Sequence, residues 1–175
     1  MIFEKCFIKK TPRTLDLTIL FYFSILIDVK RKLWNNKNMN YDELVQTAIK
    51  MTERSYAPYS HFHVGAALLD KNGHIWTGCN VENAAYGPSN CAERTAVFKA
   101  VSEGAREFEA IAIVGGPEAA DGTVTIQDFC PPCGVCRQVL SEFCTRDFKI
   151  VLANGNGEQK VFTLAQLLPE SFSLK

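Results

Sequence analysis

The stretch Cys91-Ala-Glu-Arg-Thr-Ala-Val-Phe-Lys-Ala-Val-Ser-Glu103 decides how the middle of this chain folds. Ala92, Ala96, Val97, Ala100 and Val101 recur at the spacing of one buried helix face. Ser89 or Asn90 precedes them as a cap and Gly104 follows as a terminator, so Cys91 falls at a helix N-terminus. A second helix is expected from about Cys133 to Phe143, its start fixed by Pro131 and Pro132. Between and beyond the two helices, Phe108–Val114 and Phe148–Ala153 are short apolar runs of strand type.

Upstream, Val64–Asp70, the turn Lys71-Asn72-Gly73 and His74–Cys79 read as a hairpin. A first helix is expected from Asn40, whose side chain can cap the opening turn with Glu43 three residues on; Leu44, Val45, Ala48 and Met51 line its apolar face. Downstream, Asn154-Gly-Asn-Gly157 is a turn, Lys160–Thr163 a last strand and Leu164–Leu168 a helical turn. Helices and strands alternating in this way predict an α/β layered domain.

A chain of 175 residues is the size of one domain, and 47% hydrophobic with 22% charged residues is a globular composition. Nineteen basic residues balance nineteen acidic ones, which leaves no global field to attract a nucleic acid. The balance is uneven along the chain: residues 1–38 carry eight basic and three acidic residues, residues 39–175 eleven and sixteen. The first segment holds the apolar run Leu17–Ile27, whose eleven residues fall short of the ~20 that a spanning helix needs. Lys9, Lys10 and Arg13 before it resemble the start of a secretory signal, but Lys30-Arg31-Lys32 follows where a small-residue cleavage site belongs. Residues 1–38 are expected to be an extension outside the catalytic fold, and residues 39–175 the domain; Met39, just before the capping pattern, is a candidate translation start.

Seven cysteines in such a chain point to metal or catalysis before disulfides. Cys6, Cys79 and Cys144 stand alone and are expected to be small buried hydrophobes. Cys91 and the run Cys130-Pro-Pro-Cys133-Gly-Val-Cys136 supply thiols at two helix N-termini, where the thiolate that a metal requires is favoured. One Cys-x-x-Cys pair plus one lone cysteine makes three ligands, and a catalytic zinc site keeps its fourth position for water. Glu93 then lies within reach of that water without being a ligand. Cys130, Cys79, His61, His63 or His74 could instead close the site as a fourth ligand and make it structural, and a redox use of Cys133-x-x-Cys136 is a further alternative.

Cys91-Ala-Glu with Pro132-Cys-Gly-Val-Cys136 resembles the zinc deaminase signature in its three-cysteine form. Asn80-Val-Glu-Asn-Ala-Ala-Tyr86, the Cys91–Ala96 stretch and Arg137-Gln138 after Cys136 extend the resemblance to cytidine deaminases of the small homotetrameric type, over about Met39 to Phe172. The resemblance implies an α/β/α sandwich with a mixed central sheet, and one Zn²⁺ per chain held by Cys91, Cys133 and Cys136, with Glu93 as the catalytic proton shuttle. It implies Phe62, Asn80, Glu82, Tyr86, Ala92 and Phe172 as substrate contacts, with Asn80 and Glu82 on the ribose and Phe172 reaching the base from a neighbouring subunit. His63 departs from the small apolar residue or proline expected at its position. Three thiolates would make the zinc a poorer Lewis acid, so a cation donating hydrogen bonds to sulfur should restore acidity; Arg94 is the first candidate and Arg137 the second.

The expected activity is hydrolytic deamination of cytidine and 2′-deoxycytidine in pyrimidine salvage, in the cytoplasm, on a small nucleoside, with no nucleic-acid or membrane partner. A nucleotide-, RNA- or drug-directed deaminase and a zinc-stabilised binding module are the rival readings.

Overall fold

The computed structural model describes residues 41–174. The extension 1–38, its apolar run, Cys6 and the cap expected at Asn40 lie outside the described residues. Helix α1 (Asp42–Thr52) is followed by strands β1 (Phe62–Asp70) and β2 (Ile75–Cys79), then α2 (Ala92–Ser102), β3 (Phe108–Pro117), α3 (Gly134–Phe143), β4 (Lys149–Ala153), β5 (Gln159–Thr163) and the short α4 (Leu164–Leu167). The five strands form one sheet in the order β2-β1-β3-β4-β5. Strand β1 is antiparallel to both β2 and β3, β4 is parallel to β3, and β5 is antiparallel to β4. The mixed sheet is therefore present, with α3 in the long crossover that a parallel neighbour requires.

Two glycines set the layers. A Cβ on Gly65 would lie 2.0 Å from the Ala48 carbonyl oxygen, and one on Gly78 would lie 2.3 Å from that of Ala92. Gly78 pairs with Ala66, the neighbour of Gly65 in β1. Successive strand residues face opposite sides, so α1 packs on one face and α2 on the other. On the α2 face, Ala66, Leu68, Ile111, Ile113, Ile150 and Leu152 of the sheet enclose Ala92, Ala96, Val97 and Ala100, with Leu140 of α3 and Leu164 of α4 completing the core.

The expected hairpin forms, and buried Asp70 organises its turn. The Asp70 carboxylate accepts from the Asn72 amide at 2.8 Å, the His74 amide at 3.0 Å and Trp76 Nε1 at 3.0 Å. Strand β1 begins two residues before the expected Val64, and β3 runs on to Pro117. The reason is backbone pairing: Phe62, His63 and Val64 lie opposite Pro117, Gly116 and Gly115. On α1 the expected face is buried at Leu44, Val45 and Ala48, while Thr52 takes the buried place expected of Met51, which is half-buried; the Thr52 hydroxyl is satisfied by the Ile49 carbonyl at 2.8 Å. Tyr41 stands at its N-cap without a side-chain cap bond.

Candidate active site

Cys91 is itself the N-cap of α2, in extended backbone conformation, and Cys133 is the N-cap of α3 in the same conformation. This corrects the cap expected at Ser89 or Asn90. The Asn90 amide group donates to Thr95 Oγ1 at 3.0 Å, and the Ser89 hydroxyl accepts from the Asn83 amide at 3.0 Å. Neither cysteine caps through its side chain, which leaves both sulfurs free to project from the helix starts.

The Sγ atoms of Cys91, Cys133 and Cys136 lie within 4.8 Å of one another, with Cys91 and Cys133 3.9 Å apart. Tetrahedral zinc with bonds of about 2.3 Å needs sulfurs about 3.8 Å apart, so these residues could hold a zinc ion. Among the described residues the cluster has three members. Cys130, Cys79, His61, His63 and His74 stand outside it, so they do not close the site with a fourth ligand. Cys79 and Cys144 are half-buried rather than buried, and the Cys79 thiol donates to the Arg54 carbonyl at 3.3 Å.

Charge within the cluster is shared. As protein groups alone, the Cys91 thiol is held down to about 5, chiefly by a hydrogen bond from the Cys136 thiol and further by Arg94. Cys136, as donor to that thiolate, is pushed strongly up. Arg94 Nη2 lies 3.6 Å from Cys91 Sγ and 3.3 Å from the Ser89 carbonyl oxygen, the position expected of a cation that relieves thiolate charge. Arg137 does something else. Its Nε donates to the Pro132 carbonyl and its Nη1 to the Leu167 carbonyl, both at 2.8 Å, so it braces the Pro-Cys turn against the end of α4 instead of bonding to sulfur.

Glu93, in the first turn of α2, is 4% exposed. Burial raises its carboxyl to about 6, and the negative Cys91 adds to the shift. A carboxyl poised there can both take and return a proton near neutral pH. Ala92 beside it is fully buried.

Two of the substrate candidates, Asn80 and Glu82, are held against residues 59–64. Asn80 Oδ1 accepts from the Val64 amide at 2.8 Å, while its Nδ2 donates to the Phe62 carbonyl at 2.8 Å. Glu82 Oε2 accepts from the amides of Tyr59 at 3.0 Å and Ser60 at 3.2 Å. The Ser60 hydroxyl, followed by these amides, holds the Glu82 carboxyl below its usual range. Phe62, Tyr86 and Phe172 are 39%, 81% and 70% exposed. The Phe172 carbonyl is reached by Gln138 Nε2 at 3.4 Å. Ser60 carries no motif signal of its own and emerges only from the fold.

The sequence pattern of the family described as the cytidine and deoxycytidylate deaminase zinc-binding region matches residues 39–152, a span that contains the three sulfurs and Glu93. The chain belongs to the cytidine and deoxycytidylate deaminase family. Within that family, it is 48% identical over 135 residues to a cytidine deaminase of Sporosarcina psychrophila, covering 77% of this chain and 93% of that one. A cytidine deaminase of Halalkalibacterium halodurans is also 48% identical over 135 residues, with 77% and 96% covered. The crystal structure of the cytidine deaminase from Burkholderia pseudomallei superposes with a TM-score of 0.67 at 45% identity, covering 77% of this chain and all of that one. The fold is thus that of solved cytidine deaminases, and the zinc-binding character of the family agrees with the three-sulfur cluster.

Proposed function

We propose that this chain deaminates cytidine and 2′-deoxycytidine hydrolytically, giving uridine or 2′-deoxyuridine and ammonia in pyrimidine salvage. The observation that carries the reading is the buried Glu93 on the turn that also presents Cys91 to Cys133 and Cys136. Cys91, Cys133 and Cys136 hold the zinc, one per chain. Bound there, zinc supplies Lewis acidity that makes a water nucleophilic at neutral pH.

Glu93 takes the proton of the attacking water and delivers it to N3 of the pyrimidine as C4 is attacked. It then carries a second proton to the exocyclic nitrogen, which leaves as ammonia. Arg94 lowers the negative charge felt at Cys91. Glu82, held ionised, accepts from a sugar hydroxyl, while Asn80 supplies an amide on the same side; neither suits a phosphate. Ala92, Phe62 and Tyr86 line the base and sugar.

Phe62, Tyr86 and Phe172 are too exposed to enclose a ligand within one chain, which supports a homotetramer in which Phe172 of a neighbour reaches the base. The family match beginning at residue 39 supports a catalytic unit of 39–175, with 1–38 outside it. No helix among the described residues is long and apolar enough to cross a membrane. The salvage role proposed here places the enzyme in the cytoplasm.

Ammonia release tests the reading. Cytidine should be turned over well, with bare cytosine and cytidine 5′-monophosphate poor, because a hydroxyl-reading site left unpaired discriminates strongly. Equal kcat/KM for the three would overturn the substrate assignment, and no release from cytidine would overturn the activity.

A further inference from the structure

We propose that Glu118 positions the segment 59–63, acting through His61 and His63, and through that segment sets Asn80 and Glu82 for substrate. The substrate part rests on the cytidine reading above. Antiparallel pairing of Phe62 with Pro117 brings Glu118, just past the end of β3, against His61 from 57 residues away. Its amide donates to the His61 carbonyl at 2.8 Å. Its Oε2 lies 3.0 Å from His61 Nδ1 and 3.5 Å from His63 Nε2. One residue thus holds the backbone of position 61 and both imidazoles flanking Phe62.

His63 makes the arrangement specific. Its Nδ1 is hydrogen-bonded to the Ser55 hydroxyl, and that hydroxyl also donates to the Thr52 carbonyl at 2.7 Å. A serine has one proton, so with it committed to Thr52 the His63 Nδ1 must be the donor. His63 Nε2 is buried and makes no hydrogen bond. It faces the Glu118 carboxylate at 3.5 Å. His61 sees a second acid, Glu82, whose carboxyl it helps to hold down. Glu118, Glu82 and Ser55 are thus the groups that meet the two rings.

His61 adopts φ of 51°, a left-handed conformation that costs energy in a residue with a Cβ and persists only where its surroundings enforce it. The enforcing bonds are its amide to the Ala57 carbonyl at 3.0 Å and the Glu118 amide to its own carbonyl. Both side chains assigned to the ribose hydroxyls hang from this segment. Asn80 is fixed by the Phe62 carbonyl and Val64 amide, and Glu82 by the Tyr59 and Ser60 amides. A shift at 61–63 is therefore passed to both side chains.

The test compares Glu118→Ala and Glu118→Gln with wild type as zinc-loaded full-length proteins, by steady-state kinetics on cytidine and by amide hydrogen exchange of residues 57–64. Glu118→Ala should raise KM roughly 2–10-fold with kcat within about twofold and zinc content unchanged, and exchange of 57–64 should quicken. Glu118→Gln should fall between, since its amide oxygen can still accept from one histidine. Unchanged exchange would overturn the positioning role. Faster exchange with unchanged KM, or a fall in kcat alone, would overturn the link to substrate. If the wild-type enzyme releases no ammonia from cytidine, the functional reading fails, and exchange alone then decides whether Glu118 positions the segment.

Discussion

Glu93 is held in two opposed ways. Its burial makes it a good proton carrier and a poor contributor to stability. An ordinary glutamate in the unfolded chain titrates at 4.5 and this one at about 6, so between those values the folded state binds more protons than the unfolded state. Stability therefore falls as pH rises through that window, by about 2 kcal/mol in all, and the loss persists above it. Glu93→Gln should remove that pH dependence, raise the midpoint of thermal unfolding at pH 7.5 and retain zinc, while activity drops ~10²–10⁴-fold or more. A variant with near wild-type turnover would refute the proton-shuttle role. In the wild-type enzyme kcat/KM should fall on the acid side as this carboxyl is protonated, because only the ionised carboxylate can accept the first proton. Cys133→Ala should behave oppositely, losing zinc by metal analysis and with it both turnover and stability.

At the scale of elements, the site joins two helix starts, and the approach of one of them, α2, to the sheet is set by Gly78. An added methyl would lie 2.3 Å from the Ala92 carbonyl oxygen and 2.5 Å from the Ala96 amide nitrogen, both backbone atoms of α2. Gly78→Ala must push the helix outward, at a cost of about 1–3 kcal/mol, and Cys91 moves with it. Urea unfolding should report the loss, and zinc affinity should fall beyond what stability alone explains. The helix starts were legible because Pro131, Pro132 and the alanine spacing of α2 are local signals. Glu93, likewise, was visible from its distance to Cys91. What escaped was set by pairing between distant segments. Glu118 carries no mark of its meeting with His61, and the extension of β3 through Gly115 and Gly116 comes from the ladder with β1. Arg137 was misdirected for the same reason: its carbonyl partner at Leu167 lies 30 residues away.

The whole molecule is proposed to work as an assembly of catalytic units from which residues 1–38 are dispensable. A protein beginning at Met39 should form the same oligomer by light scattering, with kcat/KM and zinc content unchanged; loss of activity would show that the extension has a part in catalysis. Phe172→Ala should raise KM, as removal of an aromatic ring from a base does, and an active monomer at low concentration would contradict its reach into a neighbour. The tail that carries Phe172 is strapped to the body by Arg146, which donates to the Pro169 carbonyl at 2.9 Å and to the Ser171 hydroxyl at 3.1 Å.

Cys91 and Cys133 stand 42 residues apart in the chain, and each begins a helix. An ion shared between them acts as a removable staple across the intervening loop, and the entropy of closing such a loop grows only slowly with its length. Loss of that ion should loosen two helix starts together instead of one. Such a form would offer its loosened turns to proteases, and the amount of this protein in a metal-starved cell would then be set by its lifetime as well as by its synthesis.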